Sequence, residues 1–338
     1  MDRPTILVTG GAGFVGSHFT RAAVEAGRRV VVLDDLSGGA APAFPPGVPL
    51  VTADLGDRET VRRVCSTYRV GAVAHFAGKI QVGESVQHPD VYFDVNVVRS
   101  LRLVEAMREE GVLACLFSST AAVYGNPESV PIPESARREP VNAYGATKLA
   151  FEHVLEAWST AFGLRWAALR YFNAAGAHPD GTLCENHEPE THLIPLAIDA
   201  ALGLRPPLTL FGDDYETPDG TCIRDYVHVE DLASAHLAAL TLLEGGETLG
   251  PINLGTGHGY SVRDVLETTG AILGKPVPFT IGPRRAGDPP RLVADASRAR
   301  QLLGWEPRHS SLRQIVEDAV RARVQGAGRR ARAAAAEA

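Results

Sequence analysis

The run TILVTGGAGFVG, Thr5 to Gly16, joins an aliphatic segment to a cluster of glycines and then to an apolar-periodic segment, Phe14 to Ala26. Ile6, Leu7 and Val8 suit a strand buried on both faces, and the segment after the glycines suits a helix. Gly11, Gly13 and Gly16 fit a G-x-G-x-x-G pattern, and Gly10, Gly13 and Gly16 fit G-x-x-G-x-x-G. A turn without side chains lets a pyrophosphate approach the backbone and rest on the free N–H groups of a helix N-terminus. A second strand, Arg29 to Leu33, ends at Asp34 and Asp35, close to the offset at which a carboxylate meets the adenosine ribose hydroxyls. Asp34 would repel a 2′-phosphate and no arginine follows it directly. The expected cofactor is therefore NAD rather than NADP.

Working outward, 338 residues at 45% hydrophobic are ample for a globular core of one large domain or two. A net charge of −7 gives no basic footprint for nucleic acid. No apolar run approaches the ~18 residues of a membrane span, and the sequence enters its first strand without a signal peptide. Cys65, Cys115, Cys184 and Cys222 are scattered without pairing or metal spacing, so free thiols in a reducing, cytoplasmic setting are expected and no metal site is.

Strands and helices alternate through the first half. After the Pro-rich stretch Pro42 to Pro49 come a strand at Leu50-Val51-Thr52 and a helix from the N-cap Asp57 to Tyr68. A strand at residues 72–76, a long helix from Pro89 to Glu110, a strand at 113–117, a helix from Asn142 to Phe162 and a strand at 166–170 follow. This order implies a Rossmann-type, doubly wound parallel sheet in an α/β protein. From Gly176 the chain becomes polar and rich in Pro and Gly, with further loops at 212–221 and 283–290. The expected organisation is a nucleotide-binding domain over residues 1–175 and a smaller C-terminal α/β substrate domain over 176–325, with some segments returning to the first. The Ala/Arg-rich residues 326–338 read as a frayed tail.

Two stretches carry the chemistry. Tyr144 and Lys148 lie four apart on a helix and share a face. A tyrosine of pKa ~10 is a poor base near neutrality, and a neighbouring ammonium would bring it toward the working range. Phe117 to Gly125 leaves a strand end through Ser118, Ser119 and Thr120, where hydroxyls face the ligand crevice of such a sheet. Turn and capping roles for the same hydroxyls stay open.

The glycine loop, Asp34, Phe76-Ala77-Gly78, Asn96, Ser118-Ser119-Thr120, the Tyr144/Lys148 pair and Arg170-Tyr171-Phe172-Asn173 together resemble the extended short-chain dehydrogenase/reductase family. Val82-Gly83-Glu84-Ser85, Gly176-Ala177-His178-Pro179, residues 224–229, Asn253-Leu254-Gly255 and residues 283–288 are similar to its UDP-hexose 4-epimerase branch. The likeness runs from about Thr5 to Glu317.

The resemblance implies NAD-dependent 4-epimerisation of UDP-glucose and UDP-galactose, with possible extension to N-acetylated sugars, by a homodimer. Tyr144 would take the 4-hydroxyl proton, Thr120 would bond the same oxygen, and Lys148 would hold the nicotinamide ribose. The implied cofactor contacts begin with Gly10, Gly13, Phe14, Val15 and Gly16, continue through Asp34, Asp35, Leu36 and Ser37, and take in Asp54 and Leu55. Further along the chain they include Phe76, Ala77, Gly78, Asn96, Ser118 and Phe172. The UDP-sugar would meet Asn173, Arg224, Arg285 and Asp288, with His192, Leu193, Thr209, Phe211 and Leu292 along its wall. Leu101, Val104, Leu149, Val154 and Leu155 would supply apolar surface for pairing of the two long helices.

Three positions depart from the commonest family pattern. His192 replaces an asparagine, Lys79 comes one residue early, and Leu292 falls where some relatives carry tyrosine. Another nucleotide-sugar epimerase is the nearest alternative. Sugar-nucleotide dehydratases need an acid pair after the catalytic hydroxyl, whereas Thr120 is followed by Ala121 and Ala122. A non-catalytic dinucleotide-binding scaffold would typically lose the tyrosine or the lysine, and both are present.

Overall fold

The structure is a computed structural model that describes residues 4–38, 44–185, 187, 189–285 and 288–337, with side chains to 326. Seven parallel strands form its centre. In chain order they are β1 (Thr5–Thr9), β2 (Val30–Asp34), β3 (Leu50–Thr52), β4 (Val70–His75), β5 (Ala114–Thr120), β6 (Arg165–Tyr171) and the late strand Gly250–Leu254. Across the sheet the order is Gly250–Leu254, β6, β5, β4, β1, β2, β3, so it reverses between β1 and β4. Ligands bind at the carboxyl ends of strands where such a reversal opens a crevice.

Alternation along β1 divides the core. Ile6 and Val8 face one layer, where Phe19 and Ala23 of helix α1 (Phe14–Glu25) meet Leu232, Ala235 and Ala239 of helix Val229–Glu244. Leu7 faces the other, with Val61, Leu103, Met107, Phe151 and Leu155. Both layers are apolar and buried, so β1 and β4 are anchored from above and below and their ends are held in place.

The second half of the chain does not stay together. Val229–Glu244 and Gly250–Leu254 return to the central layers, the strand pairing with β6. Helices Leu193–Leu202, Val262–Leu273 and the start of Leu312–Glu337 instead enclose two smaller apolar clusters beside the sheet. Where a frayed tail is expected, the backbone continues as helix to Glu337, which an Ala/Arg composition favours.

The expected helix from Pro89 to Glu110 is interrupted. Pro89–Phe93 and Ser100–Glu109 are α-helical, and Asp94–Arg99 between them is a π segment that carries Asn96. Its register shift turns Asn96 inward, a common use of π bulges. The apolar residues expected to pair across a dimer are also corrected: Val104 and Leu155 are fully buried, Leu101 and Val154 pack on the same core, and Leu149 packs on another cluster. Helical spacing cannot separate a sheet-facing stripe from a partner-facing one. The exposed large apolar side chains on these helices are Val91, Phe93, Val98 and Phe162.

Candidate active site

Every feature of the glycine loop serves close approach. Gly10 has φ +71°, and a Cβ there would stand 2.4 Å from the Ala77 nitrogen. A Cβ on Gly16 would stand 2.2 Å from the Gly10 carbonyl oxygen, so any side chain would push α1 off the loop. No side chain caps α1 at Gly13, which leaves first-turn N–H groups pointing into the cleft. Asp34 lies at the end of β2 and accepts the Ala12 N–H at 2.9 Å and the Leu36 N–H at 2.8 Å. Leu36 itself sits at φ +60°, a left-handed conformation uncommon for a non-glycine residue, beside that carboxylate. Donors for an anion at the helix start and an acceptor one strand away suit a dinucleotide.

From this loop one cleft of about 1800 Å³ runs across the sheet end to the smaller clusters. It is lined by Gly10, Gly13, Phe14, Val15 and Gly16, by Asp34, Asp35, Leu36 and Ser37, and by Asp54 and Leu55. Phe76, Ala77, Gly78, Ser118 and Phe172 also face it. Asn96 does not line it. That residue is buried, accepts the Lys79 N–H at 2.8 Å, and donates to the Lys79 carbonyl and the Thr147 hydroxyl, each at 3.0 Å. Its side chain therefore shapes the loop after β4 rather than reaching into the cleft.

The reactive groups meet midway. Asn142 caps helix Ala143–Phe162 by accepting the Gly145 N–H at 2.8 Å, which places Tyr144 in the first turn and Lys148 one turn on. Thr120 ends β5; its hydroxyl accepts the Ala122 N–H at 3.1 Å and lies close enough to the Tyr144 phenol to influence it. Thus the hydroxyl both caps and faces the cleft. Tyr144 is half-buried and lines the cleft. Burial raises the phenol well above its usual range, the Tyr171 phenol adds to this, and the Thr120 hydroxyl partly offsets it. The Lys148 ammonium stands 5.9 Å from the Tyr144 ring centroid and donates to the Ser118 carbonyl at 3.1 Å. Burial pulls Lys148 down to about 8.

Beneath these groups Arg170, fully buried, forms a two-pronged pair with Glu152 and donates to the Tyr124 hydroxyl at 2.9 Å. Glu152 also accepts from Ser119 at 2.6 Å, which ties the pair to the same strand end as Thr120. Tyr171, not singled out as a site residue from sequence, lines the cleft with its hydroxyl 2.5 Å from that of Ser118. Its position one residue past the buried Arg170 on β6 was the available signal.

At the far end Asn173, Leu193, Thr209, Phe211, Arg224, Arg285, Asp288 and Leu292 line the same cleft. Arg224 is paired with Asp288, and the Arg285 guanidinium lies 4.1 Å from the Phe211 ring centroid. Their neighbour Asp225 is buried and accepts the Thr256, Gly257 and Ala294 N–H groups at 2.9–3.1 Å. It clamps three segments, so Arg224 and Leu292, paired on adjacent short strands, keep their positions. Lys79 also lines the cleft, its ammonium 3.1 Å from Glu84. His192 is at the wall, immediately before helix Leu193–Leu202, and its Nδ1 is 2.8 Å from Glu185 and 3.1 Å from Glu190.

A model of the NAD-dependent epimerase/dehydratase family matches residues 6–255. A UDP-glucose 4-epimerase of Azospirillum brasilense is 52% identical over 318 residues, 94% of this chain and 91% of that protein. The crystal structure of UDP-glucose 4-epimerase from Brucella ovis in complex with NAD is 44% identical, covers 94% of this chain and 98% of that one, and has a TM-score of 0.92. UDP-glucose 4-epimerase from Bifidobacterium longum, in complex with NAD+ and UDP, is 36% identical over 96% of this chain and 99% of that one, with a TM-score of 0.91.

Proposed function

The chain belongs to the NAD-dependent epimerase/dehydratase family, and within it we propose that the protein interconverts UDP-glucose and UDP-galactose by inverting C4 through a transient 4-keto sugar. The observation that carries this reading is the neighbouring Thr120 and Tyr144 hydroxyls midway along a single cleft, with the α1 loop at one end and Arg224 and Arg285 at the other. NAD, when bound, supplies the hydride carrier and a cationic ring, and the uncapped α1 start with Asp34 fits its pyrophosphate and ribose.

The chain's own residues do the rest. Tyr144 takes the 4-hydroxyl proton and returns it, and Thr120 holds the same oxygen. Added positive charge in this enclosed site favours the phenolate that burial alone disfavours. Arg224 and Arg285 present planar donors suited to a diphosphate. A substrate held by its far end can show either face of the 4-keto sugar to the hydride carrier without leaving. Ala121 and Ala122 leave a dehydratase without an acid pair. The test is to incubate the protein with UDP-galactose without added oxidant or reductant: UDP-glucose is expected to form with no net NADH, and NADH accumulating in step with product would overturn the reading.

Leu292 sets the sugar preference in this reading. It is half-buried among Val123 and Phe172, and it is shorter than a tyrosine and lacks its hydroxyl. In this reading the shorter side chain sets the wall near the sugar 2-position further back than a tyrosine would. Turnover of UDP-N-acetylglucosamine beside UDP-glucose is expected, and Leu292→Tyr should depress the N-acetylated reaction selectively, by roughly 10- to 200-fold. Parallel loss of both activities, or no N-acetylated turnover by the wild type, would show that Leu292 is not the gate.

We also propose a homodimer formed through the helices at 89–109 and 143–162, supported by the exposed Val91, Phe93, Val98 and Phe162. Light scattering should give twice the chain mass at micromolar concentration; a monomer mass would refute the pairing. A cytoplasmic location agrees with cysteines that form no disulfide among the described residues, and no helix among the described residues is long and apolar enough to cross a membrane.

A further inference from the structure

Among the described residues one group of side chains has the composition of a metal centre, and it lies in the loop that leads into helix Leu193–Leu202. Glu185, His187, Glu190 and His192 each offer one ligand atom, and these atoms all lie within 4.8 Å of one another. His192 Nδ1 is 2.8 Å from Glu185 Oε1 and 3.1 Å from Glu190 Oε1. His187 Nδ1 is 3.4 Å and 3.8 Å from the same two oxygens. A four-coordinate site with bonds of 2.0–2.2 Å has ligand edges of roughly 3.3–3.6 Å, and the four separations bracket that value.

A second observation points to a ligand. The Glu190 side chain is 9% exposed; its Oε1 accepts the Thr191 and His192 N–H groups at 2.8 and 2.9 Å, whereas its Oε2 has no hydrogen-bond partner among the described residues, and neither has the buried Nδ1 of His187. Buried polar atoms are ordinarily paired. Once a metal displaces the imidazole protons, two carboxylates and two neutral imidazoles carry a charge that one divalent ion cancels, and an N₂O₂ donor set suits zinc and the neighbouring divalent transition metals.

We propose that Glu185, His187, Glu190 and His192 form a four-coordinate site for a divalent cation of the zinc class, which clips the cleft-wall loop to the start of the following helix. Ligation through Nδ1 fixes the His192 tautomer and leaves its Nε2–H free to point away from the metal. The site is separate from the reacting groups at Thr120, Tyr144 and Lys148, and metal binding there does not depend on which sugar is turned over.

The test uses the full chain after treatment with a chelator. Calorimetric titration with Zn²⁺ should show about one equivalent per chain, and Co²⁺ should develop the intense visible bands of a four-coordinate ion. His187→Gln and Glu190→Gln should each weaken Zn²⁺ binding by at least roughly 10–100-fold and abolish the cobalt bands. Absence of stoichiometric Zn²⁺ binding and of those bands in the wild type would overturn the proposal, as would wild-type affinity in both variants. Unfolding midpoints without metal show whether the variants fold; if either does not, the wild-type cobalt spectrum decides alone.

Discussion

Tyr144→Phe should lower kcat by roughly 10²–10⁴-fold, the usual contribution of a positioned general base, while the fold and NAD binding survive. The substitution removes one oxygen and keeps the ring against Lys148. It leaves Thr120 with its Ala122 contact but without the Tyr144 hydroxyl. A steady-state assay of UDP-galactose conversion, with NAD binding followed separately, checks this. If the variant keeps near-normal turnover, the proton goes elsewhere. Tyr171, whose hydroxyl also lines the cleft and sits against Ser118, is then the group to replace next.

Glu152→Gln is expected to cost about 3–5 kcal/mol of stability, because it leaves a buried guanidinium without its counter-charge. Arg170 is fully buried and Glu152 is 2% exposed, so water cannot take the partner's place. The variant keeps the shape of the side chain, which isolates charge from packing. Denaturant unfolding without ligand should show the loss, and adding Arg170→Met should restore part of it. A loss below about 1 kcal/mol, the level of an ordinary point mutation, would mean that the pair contributes little. Glu152 also receives Ser119 at 2.6 Å. The damaged variant should therefore bind substrate and turn it over less well even at temperatures where it remains folded.

The sheet was legible because β1 to β6 are short aliphatic runs, separated, except for β2 and β3, by helices with one apolar stripe. The site was legible where chemistry depends on local spacing: the glycine loop, Asp34, and Tyr144 one helical turn before Lys148. What the sequence hid depends on contacts between distant segments. A π bulge has almost the same apolar spacing as an α-helix, so the inward turn of Asn96 left no trace in the pattern. The i, i+4 spacing correctly put Tyr144 and Lys148 on one face, but it could not show that the ammonium is committed to the Ser118 carbonyl. Likewise Leu101 and Val154 have a helical stripe's spacing whether they meet a sheet or a partner. Glu185, His187, Glu190 and His192 alternate in a way that matches no standard ligand spacing, and only folding reveals that they converge.

The late return of Gly250–Leu254 to the edge of β6 has a consequence for biosynthesis. Residues 172–254 must leave the ribosome before β6 finds its outer partner, which at roughly 5–20 residues per second takes on the order of ten seconds. During that interval β6 presents unpaired backbone N–H and C=O groups along an apolar run. On a polysome several nascent chains carry the same open edge at once. The newborn protein therefore passes through a period in which holdase chaperones compete with pairing between neighbouring chains, well before any sugar nucleotide can be bound.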